Sequence, residues 1–433
     1  MTSLGAQVLQ RAPSPALTRF RACVAPRSDA AVRRRLGLVW GFLFLNVLTY
    51  YTKSVLVPMP HSVGKVITQG SLTVALVIAL SVNRKVVIRP NLFLFLLTVL
   101  CVTTTMISVQ AYFGLGTPLR AFRLVEFVAV LWLVTPWWGR DDLLFVRFLR
   151  RTLVVILATV VAGIVLFPGR AIGAATGHRL TGVIWPIPAT QVAEYAAILG
   201  GVTTVLWFTH LVRARVAAVT MAASIVFIAL AHTRTALLAM CAGVLVAALS
   251  LFLSRRRVRK AVAVTAVVGA IVAVSFAPFL SSWFVRGESA KELASLTGRS
   301  SHWSLVMAQP RTEVETLFGF GMSNDSIDGL PIDSSWYSGY LDQGLVGDIL
   351  DAGTLLALLV LAALSPRGPR RAVAFFLVVY CCLSSVTETG LGQATPYLLY
   401  LGVAASVLMA PLSSSPPALA APGEPAGPPT TAA

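Results

Sequence analysis

The residues with the most chemical promise in this chain are arginines, set where a strongly apolar sequence has little use for charge. Arg120 and Arg123 enter one apolar run, and Arg170 and Arg179 lie in a stretch containing Gly and Pro. Arg234 separates two runs, and Arg299 and Arg311 fall in the longest polar interval. A guanidinium is a rigid fork of donors that matches phosphate oxygens in pairs and stays charged at any working pH. Several of them converging at a membrane surface are what a lipid-borne diphosphate would need. Taken singly, each is equally well an interfacial anchor or an ion-pair partner. Asp333, just ahead of Trp336, is a candidate proton acceptor; as a structural residue it would form an Asx turn or cap a helix. His302, within Gly-Arg-Ser-Ser-His-Trp, is a second polar candidate, or a solvated loop histidine.

A further set of acids interrupts the apolar runs. Glu126 follows Arg123 by three residues, a spacing that allows pairing on one helix face. Glu194 sits about one turn into its run, after Gln191, and Asp348 and Asp351 share a face. Ionisable groups in such surroundings face a cavity or pair internally. Five cysteines (Cys23, Cys101, Cys241, Cys381 and Cys382) include no CxxC pair, and no His/Cys/carboxylate cluster has ligand spacing. The expectation is chemistry with no metal and no cofactor.

The elements that must position these groups are transmembrane. The chain is 56% hydrophobic, with mean hydropathy +0.79. Roughly a dozen apolar runs of about 17–24 residues match a hydrocarbon slab about 30 Å thick. The absence of period-2 alternation excludes a membrane barrel. The expected fold is all-α and polytopic, with about twelve transmembrane helices near 36–52, 66–82, 91–109, 119–138, 152–167, 189–209, 216–232, 236–253, 261–280, 340–364, 372–388 and 394–411.

The net charge of +18 does not point to nucleic acid, because 24 of the 35 Lys and Arg fall in one alternating set of loops. That set is cytoplasmic by the positive-inside rule, which places both termini inside. The expected organisation is a basic arm at 1–35, a membrane domain at 36–411 and a Pro/Ala-rich disordered tail at 412–433. The 281–339 interval, ahead of the tenth helix, is expected as an ordered extracytoplasmic cap with an amphipathic helix near 300–310. The loop at about 168–188 lies on the same side. The exit from the first run offers no small-residue cleavage site, so an uncleaved first helix is expected.

Four segments carry a resemblance to a family. They are His178-Arg179-Leu180-Thr181-Gly182; Thr233-Arg234-Thr235-Ala236-Leu237-Leu238-Ala239; Thr297-Gly298-Arg299 with Trp303 and Gly319-Phe320-Gly321; and Asp333-Ser334-Ser335-Trp336-Tyr337 running to Gly344-Leu345-Val346-Gly347. In order and sidedness they resemble the O-antigen ligase/polymerase superfamily, membrane glycosyltransferases that move glycans off polyprenyl diphosphate carriers. The likeness covers roughly 175–350, and the N-terminal third by topology only. Many members place a His-Asn pair where this chain has Asp333-Ser334, which leans toward the polymerase-like branches.

The resemblance implies a bacterial cytoplasmic-membrane enzyme. Its partners would be a lipid-linked oligosaccharide donor, a glycan, lipid or protein acceptor, and membrane lipids, without nucleic acid. Glycosyl transfer from a diphosphate needs positive groups for the leaving group, a base for the acceptor hydroxyl, and exclusion of water. Arg179 and Arg234 would supply the first, with Asp333 as the base. Arg299, Arg123, Arg120, Glu194 and His302 would bind substrate. The competing class is a transporter or flippase of lipid-linked sugars; a membrane scaffold is a third reading that leaves the arginines unexplained.

Overall fold

The computed structural model describes residues 29–48, 61–110, 114, 116–140, 143–174, 177–252, 258–264, 267, 283, 299–323, 326–327 and 330–410. Among them the chain is helical except for one two-residue antiparallel ladder, β1 (Ser326–Ile327) with β2 (Leu330–Pro331). The longer helices are α1 (Asp29–Val47), α2 (His61–Val82), α3 (Leu92–Ser108), α4 (Gly116–Val134), α5 (Leu144–Leu166), α7 (Ala189–Phe208), α8 (Ala214–Ala231), α9 (Arg234–Phe252), α12 (Ser335–Leu364), α13 (Pro369–Ser384) and α14 (Pro396–Leu408). Shorter ones are α6 (Pro168–Ala171), α10 (Arg299–Ala308) and α11 (Glu313–Phe318).

Four of these helices, α5, α8, α9 and α12, are long and apolar enough to cross a bilayer. Their apolar windows have mean hydropathies of 2.0–2.3, yet only 22–39% of each is buried inside the protein. Large side chains such as Val155, Val219, Leu249 and Leu356 point outward. In water that much exposed hydrocarbon would aggregate, whereas against lipid tails it carries no penalty. These are the helices of a membrane-embedded protein.

At the centre runs α7, packed against α5, α8, α9 and α13. It is buried along nearly its whole length because its surface is small. A Cβ at Gly201 would collide with the Phe376 ring of α13, and one at Gly200 would sit 2.7 Å from the Ser224 hydroxyl of α8. Small residues let membrane helices approach until backbones and rings interlock. A Cβ at Gly243 of α9 would likewise sit 2.9 Å from the Phe376 ring.

The helix positions expected from hydropathy recur with shifted ends. The first helix begins at Asp29 rather than 36, so Arg33, Arg34 and Arg35 lie within it and not in a free arm. The fifth begins at Leu144 rather than 152, which places Arg147, Arg150 and Arg151 on its opening turns. Hydropathy misses such turns because long basic side chains keep their heads in water while the backbone is already helical. The last two helices are shorter than expected, ending at Ser384 and starting at Pro396, where proline suits the first helical turn. The expected span at 261–280 is helical over 258–264 and at 267 and otherwise lies outside the described residues, as do residues 1–28, 284–298 and the tail.

The amphipathic helix expected near 300–310 is α10. Next to it, α11 opens on a capping box in which Thr312 and Glu315 satisfy each other's backbone donors. Those hydrogen bonds hold the Glu315 carboxyl below the usual range. Both helices pack on α12, with Trp303 stacked on Tyr337 at 4.8 Å.

One helix is broken. α12 is interrupted at Gly344 (φ 66°, ψ −165°), a conformation essentially reserved for glycine. The break leaves carbonyls without helical partners, and the Gly319-Phe320-Gly321 segment takes them. The Phe320 amide donates to the Leu341 carbonyl at 3.0 Å, and the Gly321 amide to that of Asp342 at 2.9 Å. Gly319, also at positive φ, and Gly344 sit back to back. A Cβ on either would meet backbone atoms of the other's segment, 2.5 Å from Leu317 in the case of Gly344. Two of the motif segments are therefore one structural device.

Candidate functional site

The groups singled out from sequence gather at the end of the bundle formed by the C-termini of α1, α3, α5, α8 and α13 and the N-termini of α4, α7, α9, α12 and α14. Arg179 precedes α7 in an irregular segment held by neighbouring backbone: the Leu180 amide donates to Leu230 and the Thr181 amide to Ala171. Its guanidinium donates to the Ala231 carbonyl (2.9 Å) and the Thr233 hydroxyl (3.3 Å). Arg234 is the next residue and opens α9, half-buried. The two arginines expected to act together are thus joined through Thr233.

The link to α12 runs through a segment that sequence reasoning passed over. Thr235 shares a 2.8 Å hydrogen bond with Thr387. The adjacent Glu388 carbonyl accepts from the Ser335 hydroxyl at 2.8 Å, and the Ser335 amide donates to Ser385 at 2.9 Å. Trp336 adds a bond from its indole to the Ser385 hydroxyl. Asp333 stands two residues before Ser335, half-buried. The N-cap position of α12 is Ser334, whose side chain makes no capping hydrogen bond, and Asp333 lies one residue outside it. The 385–388 turn therefore ties the Arg179–Arg234 pair to the Asp333 end of α12.

The other arginines divide. Arg123 is spent on the scaffold: it donates to the Asn46 side chain (3.1 Å) and to the carbonyls of Asn46 (2.7 Å) and Ala394 (3.0 Å). The expected Arg123–Glu126 pairing is replaced, since Glu126 accepts from Thr73 instead. The closer partners lie across the helix interface. Arg120 donates to the Met322 carbonyl and holds the 320–323 segment against α4. Arg311 lies over the Tyr340 ring at 4.1 Å and donates to the carbonyls of Tyr340 and Val306, sealing α11 to α12. Burial pushes its guanidinium below the ordinary range, partly offset by Tyr340, Glu315 and Asp348. Arg170 is exposed on α6. Arg299 begins α10, and its side chain lies outside the described residues. His302 is half-buried on the same helix.

Below this end a polar seam enters the bundle. Glu194 is 7% exposed, lies beside the Tyr400 hydroxyl and is within electrostatic reach of Glu388. Its Oε1 has no hydrogen-bond partner among the described residues. Asp342, fully buried, accepts from the Ser323 amide and from Gln393. Gln343 donates to the Gly392 carbonyl, and Asp351 flanks that same glycine. Asn46, Asp342, Gln343, Thr387, Glu388 and Gln393 are the residues that sequence reasoning missed. The available signal was the stretch Ser-Val-Thr-Glu-Thr-Gly-Leu-Gly-Gln between the last two apolar runs, too polar and glycine-rich to be helix ends.

Among the described residues no group of three His, Cys, Asp or Glu is placed to hold a metal ion. Asp325 and Asp328 lie outside the described residues. No protein-family model and no curated protein matches the chain.

Proposed function

We propose that the protein transfers a glycan from a polyprenyl-diphosphate carrier to an acceptor hydroxyl, as an O-antigen ligase-like or polysaccharide polymerase-like enzyme of the bacterial cytoplasmic membrane. The observation that carries this reading is the chain of contacts from Arg179 through Thr233, Arg234, Thr235 and Thr387 to Ser335 and the Asp333 end of α12. It sets cationic forks and a half-buried carboxylate at one end of an apolar bundle, where a lipid carrier presents its headgroup.

In the reaction, the acceptor oxygen attacks the anomeric carbon and the bond from that carbon to the phosphate oxygen breaks. Asp333 takes the hydroxyl proton, and Arg179 and Arg234 stabilise the negative charge that builds on the leaving diphosphate. The remaining parts of the proposal are about twelve spans, from the apolar runs, and both termini in the cytoplasm with the 281–339 interval outside, from the basic residues concentrated in the other set of loops.

The test is reconstitution with a lipid-linked oligosaccharide. Release of free polyprenyl diphosphate with transfer of the glycan is expected. A second reading, a transporter of lipid-linked sugars, draws on the broken α12 and the buried Asp342, Gln343 and Asp351 beside the break, since interrupted helices line transport sites. Movement of the intact lipid-linked sugar across the proteoliposome membrane, with no diphosphate released, would favour that reading instead.

A further inference from the structure

The break in α12 sets two buried oxygens against each other. Gln343 closes the first half of the helix, and Asp351 lies in the second half, about two turns beyond Gly344. Their side chains are 4% and 6% exposed. They meet at Gly392, in the segment between α13 and α14. A Cβ at Gly392 would sit 2.7 Å from Gln343 Oε1 and 2.9 Å from Asp351 Oδ2. One at Gly347 would sit 3.0 Å from the same Gln343 oxygen. Two glycines thus bring both acceptors to the edge of one small space.

Nothing positive from the surrounding helices answers them. Gln343 Oε1 has no hydrogen-bond partner among the described residues, and the amide nitrogen of that side chain is engaged by the Gly392 carbonyl. The charge acting on Asp351 is that of Asp348, another acid. Arg123, the cation that reaches the 385–395 segment, is taken up by Asn46 and the Ala394 carbonyl. Asp342 differs, since its carboxylate accepts from the Ser323 amide and Gln393. Gln343, Gly347, Asp351, Gly392 and the residues flanking each of them are all among the described residues. A water donating to both oxygens would leave a full negative charge in an apolar bundle.

We infer that Asp351 and Gln343, facing each other across the Gly344 break at Gly392, bind a sodium ion. One carboxylate with one neutral oxygen matches a single positive charge. Among the described residues no group of three His, Cys, Asp or Glu gathers there, as a divalent ion would ask. The space is too tight for a methyl carbon but suits an ion, since oxygens approach Ca²⁺, an ion of sodium's size, to about 2.3–2.6 Å. Interrupted membrane helices coordinate sodium at such breaks. The ion would tie both halves of α12 to the 385–395 segment, whichever of the two functions above the protein has.

Thermal unfolding of the full-length protein in neutral detergent tests this, with NaCl replaced by KCl or choline chloride at constant ionic strength and pH. Sodium should raise the midpoint saturably by several degrees, whereas potassium and choline should not. Asp351→Asn keeps the shape and removes the charge, so its midpoint should not move with sodium. If that variant does not accumulate, Gln343→Leu takes its place, and the sodium concentration for half the effect should rise about tenfold or more. Glu194→Gln, at a buried acid elsewhere in the seam, should respond like the wild type. No sodium response in the wild type, or an equal response to potassium, would overturn the site. So would an unchanged response in the Asp351 or Gln343 variant, or equal loss in Glu194→Gln. A midpoint that follows pH but not sodium would overturn it too, since a proton would then hold the two oxygens together.

Discussion

Asp333 and Arg234 bear the proposed chemistry most directly, and isosteric changes separate it from packing. Asp333→Asn keeps size and turn-forming ability but cannot accept a proton. Asn supports the same turns and caps as Asp, so the substitution should leave the fold intact. Glycan transfer should fall roughly 10²–10⁴-fold while the donor lipid still binds. Near-wild-type turnover would remove the base assignment, and Glu388 and His302 would then be tested in turn, Glu388 because its carbonyl holds Ser335. Arg234→Lys keeps the charge and loses the fork, so transfer should drop about tenfold or more with normal insertion and expression. Arg179→Ala should behave similarly. Full activity in both arginine variants would end the diphosphate-binding role. Arg123 differs in kind: its three bonds are to the scaffold, so its loss should show first in thermal stability.

At the scale of elements, the break in α12 and the Gly319–Gly321 segment stand or fall together. Gly344→Ala forces a non-glycine residue into a conformation costing on the order of 1–3 kcal/mol. Its methyl would also press on the Leu317 backbone at 2.5 Å. The unfolding midpoint should drop by several degrees, or the protein should fail to accumulate. Gly353→Ala, in the same helix with open space around it, is the control and should be neutral or slightly stabilising. Equal behaviour of the two variants would mean that the break is not fixed by Gly344. The 385–395 segment is the second such element, touching α4 through the Arg123–Ala394 bond, α1 by way of the same guanidinium on Asn46, α9 through Thr387 and α12 through Ser385, Glu388 and Gly392.

For the whole molecule, the proposal requires that the arginine site and the Arg84 end of the bundle lie on opposite sides of the membrane. Single cysteines at Glu313 and Arg84, both exposed, report this in a background without the native cysteines. In intact cells an impermeant thiol reagent should label the Glu313→Cys protein and spare Arg84→Cys. The reverse pattern would place the candidate site in the cytoplasm, where an extracytoplasmic transfer has no acceptor. Transfer should also persist in excess EDTA, with arginines standing at the leaving group. Loss on chelation, restored by Mg²⁺ or Mn²⁺, would point to a metal site drawing on Asp325, Asp328 and Asp333.

Among the described residues, helix existence and order were legible from hydropathy, because residues facing lipid must be apolar whatever they pack against. α7 to α9, for instance, start and stop within a few residues of the expected positions. The proximity of Arg179 to Arg234 was suggested by motif order, yet the hydrogen bonds to Ala231 and Thr233 that create it come from folding. What only tertiary structure decided is how the polar residues are divided between scaffold and site. Arg123, Arg120 and Arg311 look like Arg179 in a linear chain, and their roles depend on which carbonyl or ring another helix brings within about 3–5 Å. Likewise, nothing in the residues 385–395 by themselves says that they will sit among four helices. Their turns are local, but their partners lie tens to hundreds of residues away, and such contacts are set by the packing of the whole bundle rather than by any window of sequence.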